Sequence, residues 1–272
     1  MTYEEKLQQY KDWIFCRSAY QMALAIIGID KQTVAPSAGA AYRDERSAYL
    51  AGELFSIETD PAMVQLLKEL KDDPQIDGDN KRAVELYYKQ AMDTMCIPKE
   101  EFVAYQKLRD ESFDAWINAK SQSDYSIFEP YLKKIIEVSK KMYRYRNSDK
   151  NLYDQMLDDY EPGMTQEKYD VFFAALKERL VPLIQKVTQA KQKNEAFLHQ
   201  EFPIEDQKKF MTQLLEYLHF DSSWGYQNES EHPFTSWTCE NDCRTTTKYV
   251  KNDVISAVLS TVHEVGHAYY EH

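Results

Sequence analysis

Glycine is scarce in this chain, and cysteine and long apolar runs are scarce too. The sequence has 7 glycines in 272 residues, less than half the usual share of about 7%. Few glycines mean few positive-φ turns and few tight hairpins, so we predict long helices joined by short connections. The longest apolar run, Met22 to Ile29, is too short to span a bilayer. The 4 scattered cysteines argue against a secreted disulfide scaffold and fit a reducing compartment.

Acidic residues outnumber basic ones. Lys and Arg number 33 against 45 Asp and Glu, which gives a formal net charge of −12. This excess of acid argues against a nucleic-acid binder, which needs a basic surface to displace counterions, and against adhesion to an anionic membrane. The first residues, Met-Thr-Tyr-Glu-Glu-Lys, show no signal-peptide pattern. We therefore expect a soluble cytoplasmic protein with no nucleic-acid or membrane partner.

Three regions differ in pattern along the chain. Residues 1–215 are predicted to be helical, as in 128–145, where apolar residues recur at three- and four-residue spacing. Residues 216–251 lose that period and form a loop with a small β-element, for which the β-branched and aromatic run 245–250 predicts a strand. Residues 252–272 form a last helix, with Asn252 as a reasonable N-cap. Because this helix is apolar on nearly every side, we expect it to be buried.

The last helix carries His263-Glu264-Val265-Gly266-His267. Two histidines at i and i+4 lie on one helix face, so both imidazoles can reach a single Zn²⁺. The carboxylate of Glu264 lies about 100° round the helix from His263 and can reach a zinc-bound water as general base. The competing interpretation is two histidines satisfied inside a helix bundle. The apolar character of the helix favours the metal site, because buried polar groups without a role are costly.

Other candidates have ordinary explanations. Cys239 and Cys243 do not have the spacing of a common structural zinc site, so two small buried thiols are the better interpretation. His199 and His219 show no partner pattern and are expected at the surface or in packing.

Several motifs together resemble the carboxypeptidase Taq family of zinc metallocarboxypeptidases. His232-Pro233-Phe234 looks like the family's His-Pro-Phe motif, and the run from Asp242 to Thr246 fits its Asp-x-Arg-x-Thr motif. The stretches 157–164 and 130–132 are also similar to family segments. The likeness is clearest from about residue 125 onward, and residues 1–120 match more loosely.

The resemblance implies an all-α fold with a central groove and a small β-element before the zinc helix. It implies a broad-specificity carboxypeptidase that releases C-terminal amino acids from peptides and tends to form homodimers. By the same resemblance His263 and His267 are metal ligands and Glu264 is the general base. The expected metal is one Zn²⁺ per active site, with Co²⁺ or Mn²⁺ as substitutes.

The upstream motifs are implied to lie near the substrate. They supply Arg244, Asp242 and His232 as substrate-binding candidates. A guanidinium can grip a terminal carboxylate through two hydrogen bonds, which an exopeptidase needs. The alternative is that Arg244 pairs with Asp242 and orders the loop, and the sequence leaves both open.

One departure from the family pattern affects the metal site. The family's third zinc ligand is a Glu downstream of the zinc helix, and this chain has no such segment. Glu271 is about 12 Å beyond His263 along a helix axis and cannot meet the same metal. Family members are nearly twice this length, so residues 1–272 are expected to be the N-terminal part of a single large metallopeptidase domain whose C-terminal remainder is absent. We expect the chain alone to be inactive. We also expect the last helix to expose an apolar patch, because the N-terminal helices cannot cover all of Val258, Val262, Val265 and Tyr269.

Two alternative functions remain open at this point. One is a zinc oligopeptidase that cuts internal peptide bonds, because such enzymes share the same zinc helix. The other is an inactive, truncated helical protein that serves in binding.

Overall fold

The computed structural model describes residues 1–146, 148–198 and 200–272; His199, expected at the surface or in packing, lies outside them. The described part confirms the all-α prediction, with one small sheet near the C-terminal end. Its helices are α1 (Tyr3–Thr33), α2 (Ala40–Glu58), α3 (Pro61–Lys71), α4 (Gly78–Met95), α5 (Lys99–Gln122), α6 (Glu129–Tyr145), α7 (Leu152–Tyr160), α8 (Gln166–Gln189), α9 (Ile204–Tyr217) and α10 (Val254–Glu271), and its strands are β1 (Gly225–Glu229), β2 (Thr235–Cys239) and β3 (Asp242–Thr247).

Local side-chain chemistry fixes several helix ends. Thr2 and Glu5 form a reciprocal capping box at the start of α1. Between α7 and α8, Gly163 has a φ of 85°, a left-handed conformation that favours glycine. Thr165 then accepts a hydrogen bond from the Lys168 amide and caps α8. The turn from 161 to 165 is therefore specified by its own residues.

The main apolar core of the N-terminal region lies between α1, α3 and α4. Leu67, Leu70 and Val84 are fully buried there against Tyr10 and Trp13. Complete burial of such aliphatic side chains contributes about 1.5–3 kcal/mol each. The core fixes the long helix α1, which also contacts strand β2 more than 200 residues later in the chain.

The sheet has the order β1-β3-β2, with β3 in the centre. Strand β1 runs parallel to β3, and β2 pairs with β3 as an antiparallel neighbour. The predicted strand at 245–250 was placed too late, because β3 covers Asp242–Thr247. The register explains the error: Thr247 pairs with Glu229, the last residue of β1, and the residues after it have no partner strand.

Helix α10 lies against one face of this sheet. Its N-cap is Asp253, one residue later than predicted, and the Asp253 carboxylate accepts from the Ser256 amide. The buried residues recur at helical spacing and form one stripe: Ala257, Thr261, Glu264, Val265 and Ala268. The expectation of a helix buried on every side is wrong. Leu259, Val262 and Tyr270 are exposed on the side that the sheet does not cover.

Helix α8 has a different environment. None of its residues is buried, and it packs along one edge on α7. Within the described ranges, no helix has the length and apolar character needed to cross a membrane.

Candidate metal centre

The two histidines of α10 bring their ring nitrogens together. His263 Nε2 and His267 Nε2 are 3.1 Å apart, and both side chains are exposed. Two imidazoles on a tetrahedral Zn²⁺, each at about 2.0–2.1 Å, have nitrogens about 3.3 Å apart. The observed separation therefore fits a shared metal ion. The spacing of i and i+4 produces it, as the sequence pattern predicts.

A third metal ligand is not found beside this pair. Among the described residues, no group of three or more His, Cys, Asp or Glu side chains is arranged to hold a metal ion. A catalytic zinc site ordinarily has three protein ligands and one open position. The described residues therefore bring together two candidate ligands of the three that such a site needs.

Glu264 lies between the two histidines in sequence and beneath them in space. Its side chain is buried, with 7% of its surface exposed. One cavity of about 390 Å³ is lined by Glu264 with His263, and a second of about 390 Å³ is lined by Glu264 with His267. The carboxylate can therefore meet a small molecule that enters from either side of the histidine pair.

Strand β2 supplies a donor to this carboxylate. Thr235 Oγ1 lies 2.6 Å from Glu264 Oε2 and 2.9 Å from the Glu264 carbonyl oxygen. The sequence analysis missed Thr235, because the contact joins residues 29 positions apart on different elements. The signal that could have found it is its place directly after the His-Pro-Phe motif, at the start of the strand.

His232, a substrate-binding candidate, lies near the histidine pair. It lines the same cavity as His263 and Glu264. Trp116 of α5 packs edge-on against its ring, with the centroids 6.4 Å apart. Lys120 of the same helix donates to the Glu231 carbonyl at 3.1 Å. Helix α5 thus holds the loop that presents His232.

Arg244 and Asp242 form a bidentate ion pair. Arg244 Nε is 2.7 Å from Asp242 Oδ1, and one terminal nitrogen is 2.8 Å from Oδ2. Thr238 donates to the same carboxylate at 2.9 Å. The two hydrogen bonds from Arg244 hold the pKa of Asp242 below its ordinary value.

The same pair is turned away from α10. Thr247 of β3 contacts α10 through a hydrogen bond to the Ala257 carbonyl. Side chains alternate along a strand, so Arg244 and Asp242 point to the opposite face of the sheet. The structure therefore brings His232 to the histidine pair and does not bring Arg244 or Asp242 there.

Thr246, the last residue of the second motif, joins the two motifs. Its hydroxyl accepts from the Phe234 amide at 2.9 Å, and the Thr246 amide donates to the Phe234 carbonyl at 2.9 Å. The Ser230 hydroxyl lies 2.6 Å from the same Thr246 oxygen. The β3 strand thereby fixes the main chain that leads from His232 to Thr235.

The cysteines differ from the expectation of two buried thiols. Cys243 is fully buried against Val265 and Ala268 of α10, but Cys239 is exposed. Burial raises the pKa of the Cys243 thiol. Cys243 thus acts as a packing residue beneath α10.

Another cavity lies away from the histidine pair. It has a volume of about 790 Å³ and is lined by α9 and β1, with His219 on its wall. Neither His263 nor His267 borders it.

Comparison with known proteins identifies the family. The family model for the carboxypeptidase Taq (M32) metallopeptidases matches residues 10–272. Carboxypeptidase 1 of Bacillus subtilis is 36% identical over 272 residues, which is 99% of this chain and 54% of the relative. Thermostable carboxypeptidase 1 of Thermus thermophilus is 30% identical, over 93% of this chain and 52% of the relative.

Solved structures agree with the sequence matches. The BsuCP crystal structure superposes with a TM-score of 0.93 at 34% identity, covering 98% of this chain and 54% of that one. The M32 carboxypeptidase of Deinococcus radiodurans gives a TM-score of 0.84 at 27% identity, with the same two coverages of 98% and 54%. The chain spans about half the length of the curated relatives it matches. It belongs to the carboxypeptidase Taq (M32) metallopeptidase family.

Proposed function

We propose that this chain carries the metal-binding helix of a zinc-dependent carboxypeptidase that removes C-terminal amino acids from peptides with broad specificity. The supporting observation is the convergence of His263 Nε2 and His267 Nε2 beside the buried Glu264. Zinc is the metal that this donor set favours, and Co²⁺ and Mn²⁺ are its substitutes. The free cysteines fit a reducing cytoplasm, and family resemblance supports a homodimer.

The proposed chemistry divides between the metal and the protein. When bound, zinc supplies a Lewis acid that polarises the peptide carbonyl and makes water more acidic. Glu264 accepts a proton from the attacking water and returns it to the leaving amine. Its burial keeps bulk water away from the carboxylate. His232, on the wall of the same cavity, contacts the substrate.

Arg244 and Asp242 take a supporting role in this proposal. The Arg244 guanidinium already donates two hydrogen bonds to Asp242, so a substrate carboxylate would have to displace Asp242. This favours the alternative in which Arg244 orders the sheet. Direct binding of the peptide carboxylate by Arg244 is the competing proposal. Arg244→Lys separates them, because impaired turnover with normal stability supports binding, and lost stability with normal kinetics supports ordering.

Whether the 272-residue chain is active by itself depends on a third metal ligand. Since the described residues bring two ligands together, we expect the 272 residues alone to bind zinc weakly and to lack turnover. The missing carboxylate would come from the part of the relatives that has no counterpart in this chain.

A comparison of two proteins tests the proposal. One is the 272-residue chain, and the other is the same chain joined to the unmatched segment of the Bacillus subtilis relative. We expect one tightly bound zinc and release of C-terminal residues only in the joined protein. Stoichiometric zinc and turnover in the chain alone would contradict the two-ligand proposal.

The choice of substrate and control variant separates the alternatives. A peptide with an amidated C-terminus should resist a carboxypeptidase, and internal cleavage of it would favour the oligopeptidase. In the joined protein, Glu264→Gln should keep the zinc and abolish turnover. Zinc content near zero in well-folded joined protein would favour the non-enzymatic alternative.

A further inference from the structure

Thr235 is the residue of the sheet that reaches the carboxylate of the zinc helix. It opens β2 and pairs with Thr245 of the central strand. Its hydroxyl faces α10 and lies 2.6 Å from Glu264 Oε2. That separation is in the range of about 2.5–2.7 Å for a hydroxyl that donates to a carboxylate.

The hydroxyl has two possible acceptors and one proton. The Glu264 carbonyl oxygen, at 2.9 Å, is the longer contact, and the carboxylate oxygen, at 2.6 Å, is the shorter. The carbonyl of a residue inside a helix is already an acceptor for the amide four residues on. The shorter distance and the stronger acceptor both favour the carboxylate.

Glu264 depends on this contact because it is buried. Within the described ranges, Thr235 is the hydrogen-bond donor to its side chain, and no cation pairs with it. A buried carboxylate that loses its donor is left with the full cost of desolvation. The hydrogen bond also leaves the second oxygen, Oε1, available to the two cavities that the residue lines.

The central strand β3 holds the main chain next to Thr235. Thr246 holds the amide and the carbonyl of Phe234, the residue directly before Thr235. The hydroxyl is therefore anchored through the sheet, independently of α10. A donor mounted on a separate element can hold the carboxylate in one orientation while α10 carries the histidines.

We propose that Thr235 is a positioning residue that orients the carboxylate of Glu264. The contact itself stands on the geometry, and its catalytic consequence rests on the proposed function of Glu264 as general base. In the assembled enzyme, Thr235 holds Oε2 so that Oε1 faces the attacking water.

A double-mutant cycle on the 272-residue chain tests the contact without any metal or activity. Thr235→Val removes the hydroxyl at nearly constant shape, and Glu264→Met removes the acceptor at similar length. We expect Thr235→Val to lower the folding equilibrium constant about tenfold to a hundredfold when Glu264 is present. In the Glu264→Met background, the same change should have little effect.

Two results would overturn the proposal. An equal loss in both backgrounds means that the hydroxyl serves the backbone carbonyl and not the carboxylate. No loss in either background means that the contact is absent in solution. Thr235→Ser keeps the hydroxyl and should restore stability, which keeps the test informative even where the valine variant folds poorly.

Kinetics in the joined protein test the catalytic consequence. Thr235→Val should lower kcat by at least about tenfold with KM and zinc content unchanged, and Thr235→Ser should recover most of it. Unchanged kcat in Thr235→Val, alongside an inactive Glu264→Gln, would refute the positioning role alone. Normal turnover in Glu264→Gln would refute the proposed base, while the stability cycle would still report on the contact.

Discussion

Helices α8 and α10 are both rich in apolar residues, yet they have opposite environments. In α10, five residues including Val265 and Ala268 are buried against the sheet. In α8 none is buried, and Phe172, Leu183 and other large apolar side chains face solvent. The difference shows that apolar content alone does not bury a helix. The three-stranded sheet provides a surface for α10, and the described residues provide no equivalent surface for α8.

The histidine pair benefits from this anchoring. Val265 and Ala268 fix one side of α10 on Phe220 and Cys243, so the opposite side presents both imidazoles in a constant orientation. A metal site needs its ligands on rigid elements. The anchored helix carries the candidate site, and the exposed helix carries none of the candidate site residues.

The largest expected effect comes from placing a charge on each helix in turn. Val265→Asp puts an unpaired carboxylate beneath α10 and should destabilise the protein by about 3–5 kcal/mol. Val171→Asp, at an exposed position of α8, should change the stability by less than about 0.5 kcal/mol. Urea unfolding followed by circular dichroism measures both. Equal losses would mean that α8 is buried in solution.

The next effect concerns metal binding on the anchored helix. His267→Ala removes one of the two converging nitrogens and should weaken zinc binding by at least about a hundredfold. That is more than the loss expected from removing a residue that only hydrogen-bonds to a ligand. Ser256→Ala, on an exposed position of the same helix, is the matched control and should leave the affinity unchanged. Competition with a chromogenic chelator measures both affinities, and the two variants should fold equally well. A similar affinity in both would rule out the histidine site.

An apolar dye can compare the exposed surfaces of the two helices. Nine large apolar side chains are exposed on α8: Val171, Phe172, Phe173, Leu176, Leu180, Val181, Leu183, Ile184 and Val187. Four are exposed on α10: Leu259, Val262, Tyr269 and Tyr270. Replacing Phe172 and Leu183 with lysine should lower dye fluorescence more than replacing Leu259 and Val262. Both double variants should keep the unfolding midpoint. A larger drop from the α10 pair would reverse the comparison.

The smallest effect concerns the ion pair behind the sheet that supports α10. Arg244 lowers the pKa of Asp242, so the pair stabilises the folded state above the ordinary carboxyl pKa of about 3.9. This contribution is lost as the pH falls through that value toward the lowered pKa. Arg244→Met should therefore reduce the fall in the free energy of unfolding between about pH 5 and 2. At neutral pH the variant should lose about 0–1 kcal/mol of stability. Lys251→Met, which removes an exposed partner of Glu201, is the control. The same pH dependence of unfolding in Arg244→Met and the parent chain would mean that the ion pair does not form in solution.

Sequence reasoning succeeded where the cause is local. The i and i+4 spacing of His263 and His267, the cap at Thr165 and the start of α10 within one residue all depend on neighbours in the chain. It failed where the cause is distant. The end of β3 is set by the length of β1, and the partner of Glu264 comes from β2.

The exposed side of α10 was also beyond local reasoning. An apolar helix of this composition predicts burial, but burial needs a surface on each side. The sequence pattern does not say how many such surfaces the rest of the chain provides. The expected apolar patch followed from the absence of a C-terminal remainder. It is confirmed for Val262 and Tyr269, because about two fifths of each surface is accessible, but Val265 is buried and Val258 is half-buried.

The contact between α1 and β2 has a consequence for synthesis of the chain. The two elements are separated by more than 200 residues, so the helix leaves the ribosome long before the strand exists. At 5–20 residues per second, about 10–40 s pass between the end of α1 and the completion of β2. During that interval the α1, α3 and α4 core can form, while the surface of α1 that later meets β2 stays open to other proteins. The packing of α1 can therefore be completed only after residue 239 has been added.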